Sequence, residues 1–296
     1  MLRIAVTGSN GQVARSLLER AGAADIDVVC IGRPTFDLAD PDTFDDAISS
    51  AAADVLVNVA AYTDVNKAEA ESELADRMNG QAPGLLAARA NAFGIPMIQL
   101  STDYVFDGSK RAPYTEQDQI CPINAYGRSK AAGERSVAAA HPHHVILRTS
   151  WVYSPFGRNF VRTMLDLARK QDEVRVVADQ IGNPTAAADV ADGVLAIARN
   201  LVEGRGDERY GTFHMAAAGA TSWAEFAEAT FEASAERGGP SARVVPIAST
   251  QYQTPARRPA NSRLDCEKIA RVHHVSLPHW RSSLAACVAR ILEQGV

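Results

Sequence analysis

Cysteine is scarce and scattered: Cys30, Cys121, Cys266 and Cys287 share no C-x-x-C spacing and have no His-x₃-His nearby. That argues against a disulfide framework and leaves no ligand set for a structural zinc, so all four are expected as reduced, mostly buried thiols. Basic residues are outnumbered, 30 Lys and Arg against 35 Asp and Glu for a net charge of -5, and they form no stripe. Nucleic acid is therefore not an expected partner. Long apolar runs are missing too. The first, Leu2–Val6, is too short for a secretion signal or a membrane span, so a cytoplasmic protein without membrane contact is expected. No tract is repeated or of low complexity. What is present is ordinary for a folded protein, 46% hydrophobic and 22% charged. A chain of 296 residues has room for one large domain or two modest ones.

Short apolar runs recur at Leu2–Val6, Asp27–Ile31, Asp54–Ala60, Pro96–Leu100 and His144–Arg148, with helical patterns between them at Gln12–Ala21, Pro41–Ser50, Glu73–Phe93 and Ala125–Ala140. Strands alternating with helices of ten or more residues predict βαβ units and a parallel sheet. Strands that are apolar throughout fit a sheet covered on both faces. Further on, Asn159–Arg169 and Ala187–Leu201 are predicted helical, Val174–Val177 and Gly211–Met215 extended, and Gly204–Glu208 a surface turn. Beyond Ser222 the chain is mainly helical, with a strand at Arg243–Ile247, an ordered loop at Thr254–Asn261 and a last helix at His279–Gln294 whose apolar face suits a core or an interface. The expected fold is α/β, a Rossmann-type doubly wound parallel sheet with a smaller, mainly C-terminal substrate-binding region. We divide it at 1–215 and 216–296, with residues 150–182 contributing to the substrate side and a boundary that need not be continuous.

The first strand runs into Gly8-Ser9-Asn10-Gly11-Gln12-Val13-Ala14, a G-x-x-G-x-x-A turn that opens a helix. Residues without a bulky side chain let the backbone approach a pyrophosphate, and the helix N-terminus offers free N–H groups and partial positive charge. Gly8, Asn10, Gly11, Gln12 and Val13 are thus candidate dinucleotide contacts. An acid at the end of the second strand would bond a ribose 2′-hydroxyl and favour NADH. That strand ends instead in Cys30-Ile31-Gly32-Arg33, and Asp27 sits at its wrong end. Arg33 suits a 2′-phosphate, so NADPH is the expected cofactor, with NADH as the alternative.

Tyr126-Gly127-Arg128-Ser129-Lys130 is a Y-x-x-x-K segment. On a helix the pair lies one turn apart on one face. A free phenol, with a pKa of about 10, is a poor acid at neutral pH; an adjacent ammonium is expected to lower it. Tyr126 could then pass a proton to a ketone oxygen as hydride reaches the carbon, while Lys130 also holds the nicotinamide ribose. The fourth strand ends in Ser101-Thr102-Asp103-Tyr104, and parallel sheets bind ligands at strand carboxyl ends. Thr102 is therefore placed to polarise the same carbonyl.

Seven segments now stand together: Gly8–Ala14, Ala60–Glu69, Ser101–Gly108, Tyr126–Lys130, Arg148–Tyr153, Asp179–Thr185 and Arg258–Leu264. They span nearly the whole chain, and the second, third and last are the most specific. The sequence resembles the dTDP-4-dehydrorhamnose reductase family of the extended short-chain dehydrogenase/reductase superfamily. The resemblance implies reduction by NADPH of the C4 ketone of dTDP-4-dehydro-L-rhamnose to dTDP-L-rhamnose, the last step of dTDP-rhamnose synthesis for cell-surface polysaccharide. It makes Tyr126 the proton donor and Lys130 its tuner and ribose ligand. It sets Thr102, Asp103 and Trp151 at the sugar, Ala60, Ala61, Tyr62 and Thr63 along the cofactor, Asp37 and Leu38 on the adenine side and Asn79 near the nicotinamide. Arg257, Arg258 and Asn261 become candidates for the nucleotide diphosphate, which an Arg can pair bidentately.

Two positions depart from the family pattern: Asn66 stands where Asp is usual and Ala14 where Gly is usual. Some members of the family form magnesium-bridged dimers through carboxylates. At the matching places this chain has Ser16 and Ala188, poor ligands for a hard cation, so no metal is expected even with Asp189 adjacent. A homodimer is one assembly open to the chain; the oligomeric state is not readable from the sequence. Three rival readings stay open. A 4,6-dehydratase would need a second carboxylate after Asp103, where Tyr104 stands. A 4-epimerase or another nucleotide-sugar 4-reductase would use the same Tyr126 and Lys130. A regulatory subunit of a methionine adenosyltransferase-like partner would need the fold but not the chemistry.

Overall fold

The computed structural model describes residues 1–204 and 206–295. The first half alternates strand and helix: β1 (Leu2–Thr7), α1 (Gln12–Ala21), β2 (Ile26–Ile31), α2 (Phe44–Ala51), β3 (Val55–Asn58), the short helices α3 (Lys67–Ala70) and α4 (Ser72–Asp76), α5 (Ala82–Ala92), β4 (Met97–Thr102), α6 (Ala125–Ala140) and β5 (His144–Thr149). Then follow β6 (Val152–Tyr153), α7 (Phe160–Ala168), β7 (Glu173–Val177), β8 (Ile181–Gly182), β9 (Thr185–Ala186), α8 (Ala187–Glu203) and β10 (Gly211–His214). The remainder comprises β11 (Thr221–Ser222), α9 (Trp223–Ala235), β12 (Arg243–Ile247), β13 (Asn261–Ser262), α10 (Glu267–His273) and α11 (Trp280–Glu293).

Six strands form one sheet in the order β10-β5-β4-β3-β1-β2, and every pairing in it is parallel. Strand side chains alternate between faces, and both faces are dry. Ile4, Val6, Val57, Ile98 and Leu147 pack with Leu17 of α1 and with Val190, Val194 and Ile197 of α8. Ala5, Leu56, Met97 and Ile146 pack on the other side with Phe44 and Ile48 of α2 and Leu86 and Ala90 of α5. This explains the uninterrupted apolar strands. The chain order reverses between β1 and β3, which opens a crevice at their carboxyl ends, the usual ligand position in such sheets.

Beside the sheet, Phe226 of α9 packs with Trp280, Leu284 and Val288 of α11. The apolar face of the last helix therefore belongs to the core. The segment Glu73–Phe93 is helical throughout but contains a π turn at Arg77–Gln81 between α4 and α5. β4 runs to Thr102, two residues past its apolar run, and so carries Thr102 to the mouth of the crevice. In the expected turn Gly204–Glu208, Arg205 lies outside the described residues, and Asp207–Arg209 form a single 3₁₀ turn. Among the described residues no helix is long and apolar enough to cross a membrane.

Helix α6 approaches its neighbours so closely that glycine is required. A Cβ on Gly133 would sit 2.0 Å from the backbone oxygen of Asn79. Helix propensity alone would favour Gly133→Ala by about 1 kcal/mol. The overlap should reverse that sign and cost about 1–3 kcal/mol, read as a lowered midpoint in thermal denaturation. A midpoint raised by the propensity gain would show that the helices are not packed at this distance.

Candidate active site

The crevice is a cleft of about 990 Å³ whose wall includes Gly8, Asn10, Gly11, Gln12 and Val13. Gly8 has φ +79°, a left-handed backbone that favours glycine, and its N–H is tied to the Ile31 carbonyl at 2.6 Å. Helix α1 begins at Gly11 with no side-chain cap, so its first N–H groups are free for an anion. Arg33, Asp37 and Leu38 line the cleft beyond β2, and Ala60, Ala61 and Thr63 line it beyond β3.

Thr7 fixes the bottom of this cradle. Its hydroxyl donates to Asn58 Oδ1 at 2.6 Å and accepts from the Val59 and Ala60 amides at 3.1 and 3.0 Å. Asn58 Nδ2 donates to Gln99 Oε1 at 2.8 Å, and Gln99 Nε2 to the Leu100 carbonyl at 2.8 Å. Lys130 Nζ reaches the same carbonyl at 2.7 Å. The phosphate turn and the lysine are thus joined by one buried polar chain.

The candidate reacting groups converge at the far end of the cleft, where Thr102, Asp103, Tyr126, Lys130 and Trp151 all line it. Asn124 caps α6 by accepting from the Gly127 amide at 2.7 Å, which starts the helix one residue before Tyr126. The residue spacing then puts Tyr126 and Lys130 on one face. Tyr104, buried beside them, meets Tyr126 edge to face at 6.0 Å.

The electrostatics correct one expectation. Lys130 does not lower the Tyr126 phenol here. Burial and the Asp103 charge push it above its ordinary value, against the opposing Thr102 hydroxyl, while Lys130 is engaged with Leu100. Tyr126 is therefore a protonated donor at neutral pH. Burial pushes Lys130 down to about 8, with the Glu134 charge pulling it up. Asp103 accepts from the Thr102 hydroxyl at 3.0 Å through Oδ1, and its buried Oδ2 has no partner in hydrogen-bonding geometry. Burial pushes its carboxyl up to about 7, against the Ser262 and Thr102 hydroxyls.

Some expected contacts lie elsewhere. Asn79 is buried behind the cleft, where its amide accepts from the Tyr62 N–H at 2.8 Å and donates to the Tyr62 carbonyl at 2.9 Å and to Ser129 Oγ at 3.0 Å. It shapes the turn after β3 rather than lining the cleft. The Tyr62 hydroxyl donates to Glu71 at 2.7 Å. Arg257 and Arg258 line a second cavity of about 920 Å³, which meets the cleft at Val65, Tyr104 and Trp223. Arg258 donates to Thr254 at 2.8 Å and more distantly, at 3.4 Å, to Asn66. Both partners are neutral. The Arg257 carbonyl is bonded by Asn124 Nδ2 at 2.8 Å, tying the arginine loop to the start of α6. Asn261 lines neither cavity: its amide donates to the Lys110 and Ala112 carbonyls and accepts from Arg263. Ser16 is buried with its hydroxyl on the Gln12 carbonyl, and Asp189 accepts from Ser283. Among the described residues no cluster of three or more His, Cys, Asp or Glu could hold a metal ion.

Trp223 is absent from the sequence-based candidates. It stacks face to face on Trp151, centroids 3.5 Å apart and planes 8° apart, where the two cavities join. Its position inside the Ser222–Glu225 capping box, as the first residue of α9, marks a helix start and conceals the aromatic pair. Trp151 has φ +48°, and a Cβ on Gly182 would lie 2.5 Å from its ring, which accounts for the glycine there.

A parallel sheet in this order, with a tyrosine–lysine pair beneath its switch-point crevice, defines the extended short-chain dehydrogenase/reductase class. Within that class, the model of the RmlD substrate binding domain family matches residues 2–293. The chain belongs to this family. It is 47% identical over 294 residues to the dTDP-4-dehydrorhamnose reductase of Sinorhizobium fredii, covering 99% of each chain. To that of Burkholderia thailandensis it is 43% identical, covering 99% of this chain and 100% of the other. Its structure is similar to the dTDP-4-dehydrorhamnose reductase of Clostridium acetobutylicum, with TM-score 0.90 and 33% identity over 98% of this chain and 100% of that one. The Bacillus anthracis enzyme, solved in complex with NADP, gives TM-score 0.89 at 31% identity, with the same coverage.

Asp103 yields a test. Its folded pKa lies above the ordinary 3.8, so the folded chain holds this proton more tightly than the unfolded one. Its stabilising contribution is complete below about 3.8 and is lost as pH rises to about 7. Denaturant unfolding at about pH 5 and about pH 8 should show the wild type losing stability relative to Asp103→Asn. Parallel behaviour of the two would mean that Asp103 ionises as it does in the unfolded chain.

Proposed function

We propose that the protein reduces the C4 ketone of dTDP-4-dehydro-L-rhamnose to dTDP-L-rhamnose with NADPH. The observation that carries this is the convergence of Thr102, Tyr126 and Lys130 at one end of a cleft whose other end is an uncapped helix N-terminus. Membership of the family and the names of the relatives supply the substrate.

The residues fit the cofactor. The free N–H groups after Gly11 suit a pyrophosphate, and Arg33 stands where a 2′-phosphate would lie. Bound there, NADPH supplies the hydride. Lys130 holds the ribose by hydrogen bond and charge. Tyr126, held protonated by burial, donates its proton to the C4 oxygen, and the Thr102 hydroxyl, turning its one proton from Asp103 Oδ1 to the same oxygen, makes the second donor that meets charge developing there. Asp103 Oδ2, lacking a partner, takes a sugar hydroxyl. The Trp151–Trp223 pair forms an apolar wall for the sugar, and Arg257 and Arg258 in the second cavity face the diphosphate. We regard 1–215 as the cofactor part and 216–296 as the smaller substrate part. The lack of long apolar runs in the sequence leads us to add a cytoplasmic location, and the resemblance adds a homodimer as one possible assembly.

With substrate generated in place and NADPH oxidation followed, Tyr126→Phe should lower turnover by about 10²- to 10⁴-fold while cofactor affinity is kept. Unchanged turnover would remove Tyr126 from the role of acid. Arg33→Ala should weaken NADPH by about 10- to 100-fold, the worth of one charge-assisted contact, and leave NADH little changed. Equal losses for both cofactors would place the 2′-phosphate elsewhere.

A further inference from the structure

Behind Lys130 lies a group of buried charges that the proposed chemistry does not use. Glu134 follows Lys130 by four residues on α6, one turn further along the same face. Arg148 grips both its oxygens, Nε to Oε1 at 2.9 Å and Nη2 to Oε2 at 2.7 Å, with the side chains only 3% and 5% exposed. Ser101 Oγ donates to the same carboxylate at 2.6 Å. The third donor of Arg148, Nη1, is directed at His214 Nε2, 3.4 Å away. His214 Nδ1 lies 3.0 Å from the Tyr114 carbonyl, which can only accept, so the ring proton is on Nδ1 and Nε2 is free to accept. Burial and the Arg148 charge keep that ring neutral by lowering its pKa to about 3.

A buried ion pair is by itself weak evidence of stability, because desolvation cancels much of the attraction. The placement of this one is the informative part. Ser101 directly precedes Thr102 on β4 and is paired in register with Arg148 on β5. Glu134 shares its helix face with Lys130. Among the described residues Lys130 makes no ion pair within contact distance, and its one hydrogen bond is to the Leu100 carbonyl. Burial alone drives an ammonium towards the neutral amine. The charged and titratable groups around α6 are Tyr126, Arg128, Glu134 and Arg135 on the helix itself, Asp103 and Tyr104 after β4, Arg148 on β5, His214 on β10, Lys67 and Glu69 of α3, Glu73 and Asp76 of α4, Arg77 of the π turn and Arg89 of α5. Among all of these it is the Glu134 charge that opposes the effect of burial on Lys130.

We propose that Glu134 is the internal counter-ion of Lys130, a positioning residue held by Arg148 and Ser101 so that the ammonium stays in register with Thr102 and Tyr126. This rests on the role given to Lys130 above. Glu134 touches neither substrate nor cofactor and acts only through Lys130. Arg148 sets the limit of its pull. A lone buried carboxylate would draw the lysine out of the cleft into direct contact, whereas one already gripped by a guanidinium acts through its field.

The test is NADPH affinity, read from tryptophan fluorescence, as a function of pH. In the wild type, affinity should fall as Lys130 loses its proton, at about 8. Glu134→Gln should bring that midpoint down by about one pH unit, and Glu134→Asp, which keeps the charge, should restore it. Should Glu134→Gln alone fail to fold, Glu134→Gln combined with Arg148→Met leaves neither member of the ion pair without its partner and should still bring the midpoint down, though by less, because a positive charge is removed with the negative one. An unmoved midpoint in a variant that melts cooperatively would overturn the proposal and leave the pair as a staple between α6 and β5. Binding is read without the sugar. A displaced midpoint with no keto-sugar turned over would therefore count against the proposed reaction and not against this assignment.

Discussion

The site hangs on one buried polar chain, from the Thr7 hydroxyl through Asn58 and Gln99 to the Leu100 carbonyl and Lys130. It crosses β1, β3 and β4 at their carboxyl ends and finishes on α6. Each link is a matched donor and acceptor, and in a low-dielectric interior an unmatched one would cost about 1–3 kcal/mol. The phosphate turn and the lysine are therefore held at a set separation, and the cleft between them inherits its length. Thr7 also bonds two amides of the turn after β3, so the same chain shapes the cleft's middle wall.

Around that frame, burial does different things to neighbouring groups. It raises Asp103, whose Oδ2 has no internal partner, and keeps Tyr126 protonated. Glu134, on α6, is bonded at both oxygens by Arg148 and also by Ser101. One carboxyl is buried in the cleft wall with an oxygen to spare, and the other is closed into the scaffold. The division suits a reductase, which needs a proton donor, a cation for the cofactor and an apolar wall for the sugar.

Much of this was legible in the sequence because the local signals were strong. Helices α1 and α6 begin where the glycine turn and Asn124 start them, and their limits match the periodic segments. Strands β1, β3, β4 and β5 stood out because both faces of the sheet are covered there, and the edge strand β2 stood out by its apolar run. The pairs β6, β8, β9, β11 and β13 were not legible, since two-residue strands carry no period and arise from tertiary contact. Asn79 and Asn261 matched family segments, yet both spend their amides on backbone groups, a distinction that needs coordinates. Trp223 was missed because its stacking partner lies 72 residues away in sequence, across a turn of backbone at Trp151 that no pattern announces. The Tyr126 shift ran opposite to expectation because spacing reveals a neighbouring lysine but not how deeply the phenol is buried.

The central claim is that hydride goes to the sugar at C4 while Tyr126 supplies the proton. Its most direct test is NADPH carrying deuterium at the transferable position, with the sugar product examined by NMR. The account predicts one deuterium at C4 of dTDP-L-rhamnose for each cofactor oxidised. A sugar isomerised with no deuterium gained and no cofactor consumed would contradict it and point to an epimerase built on the same site.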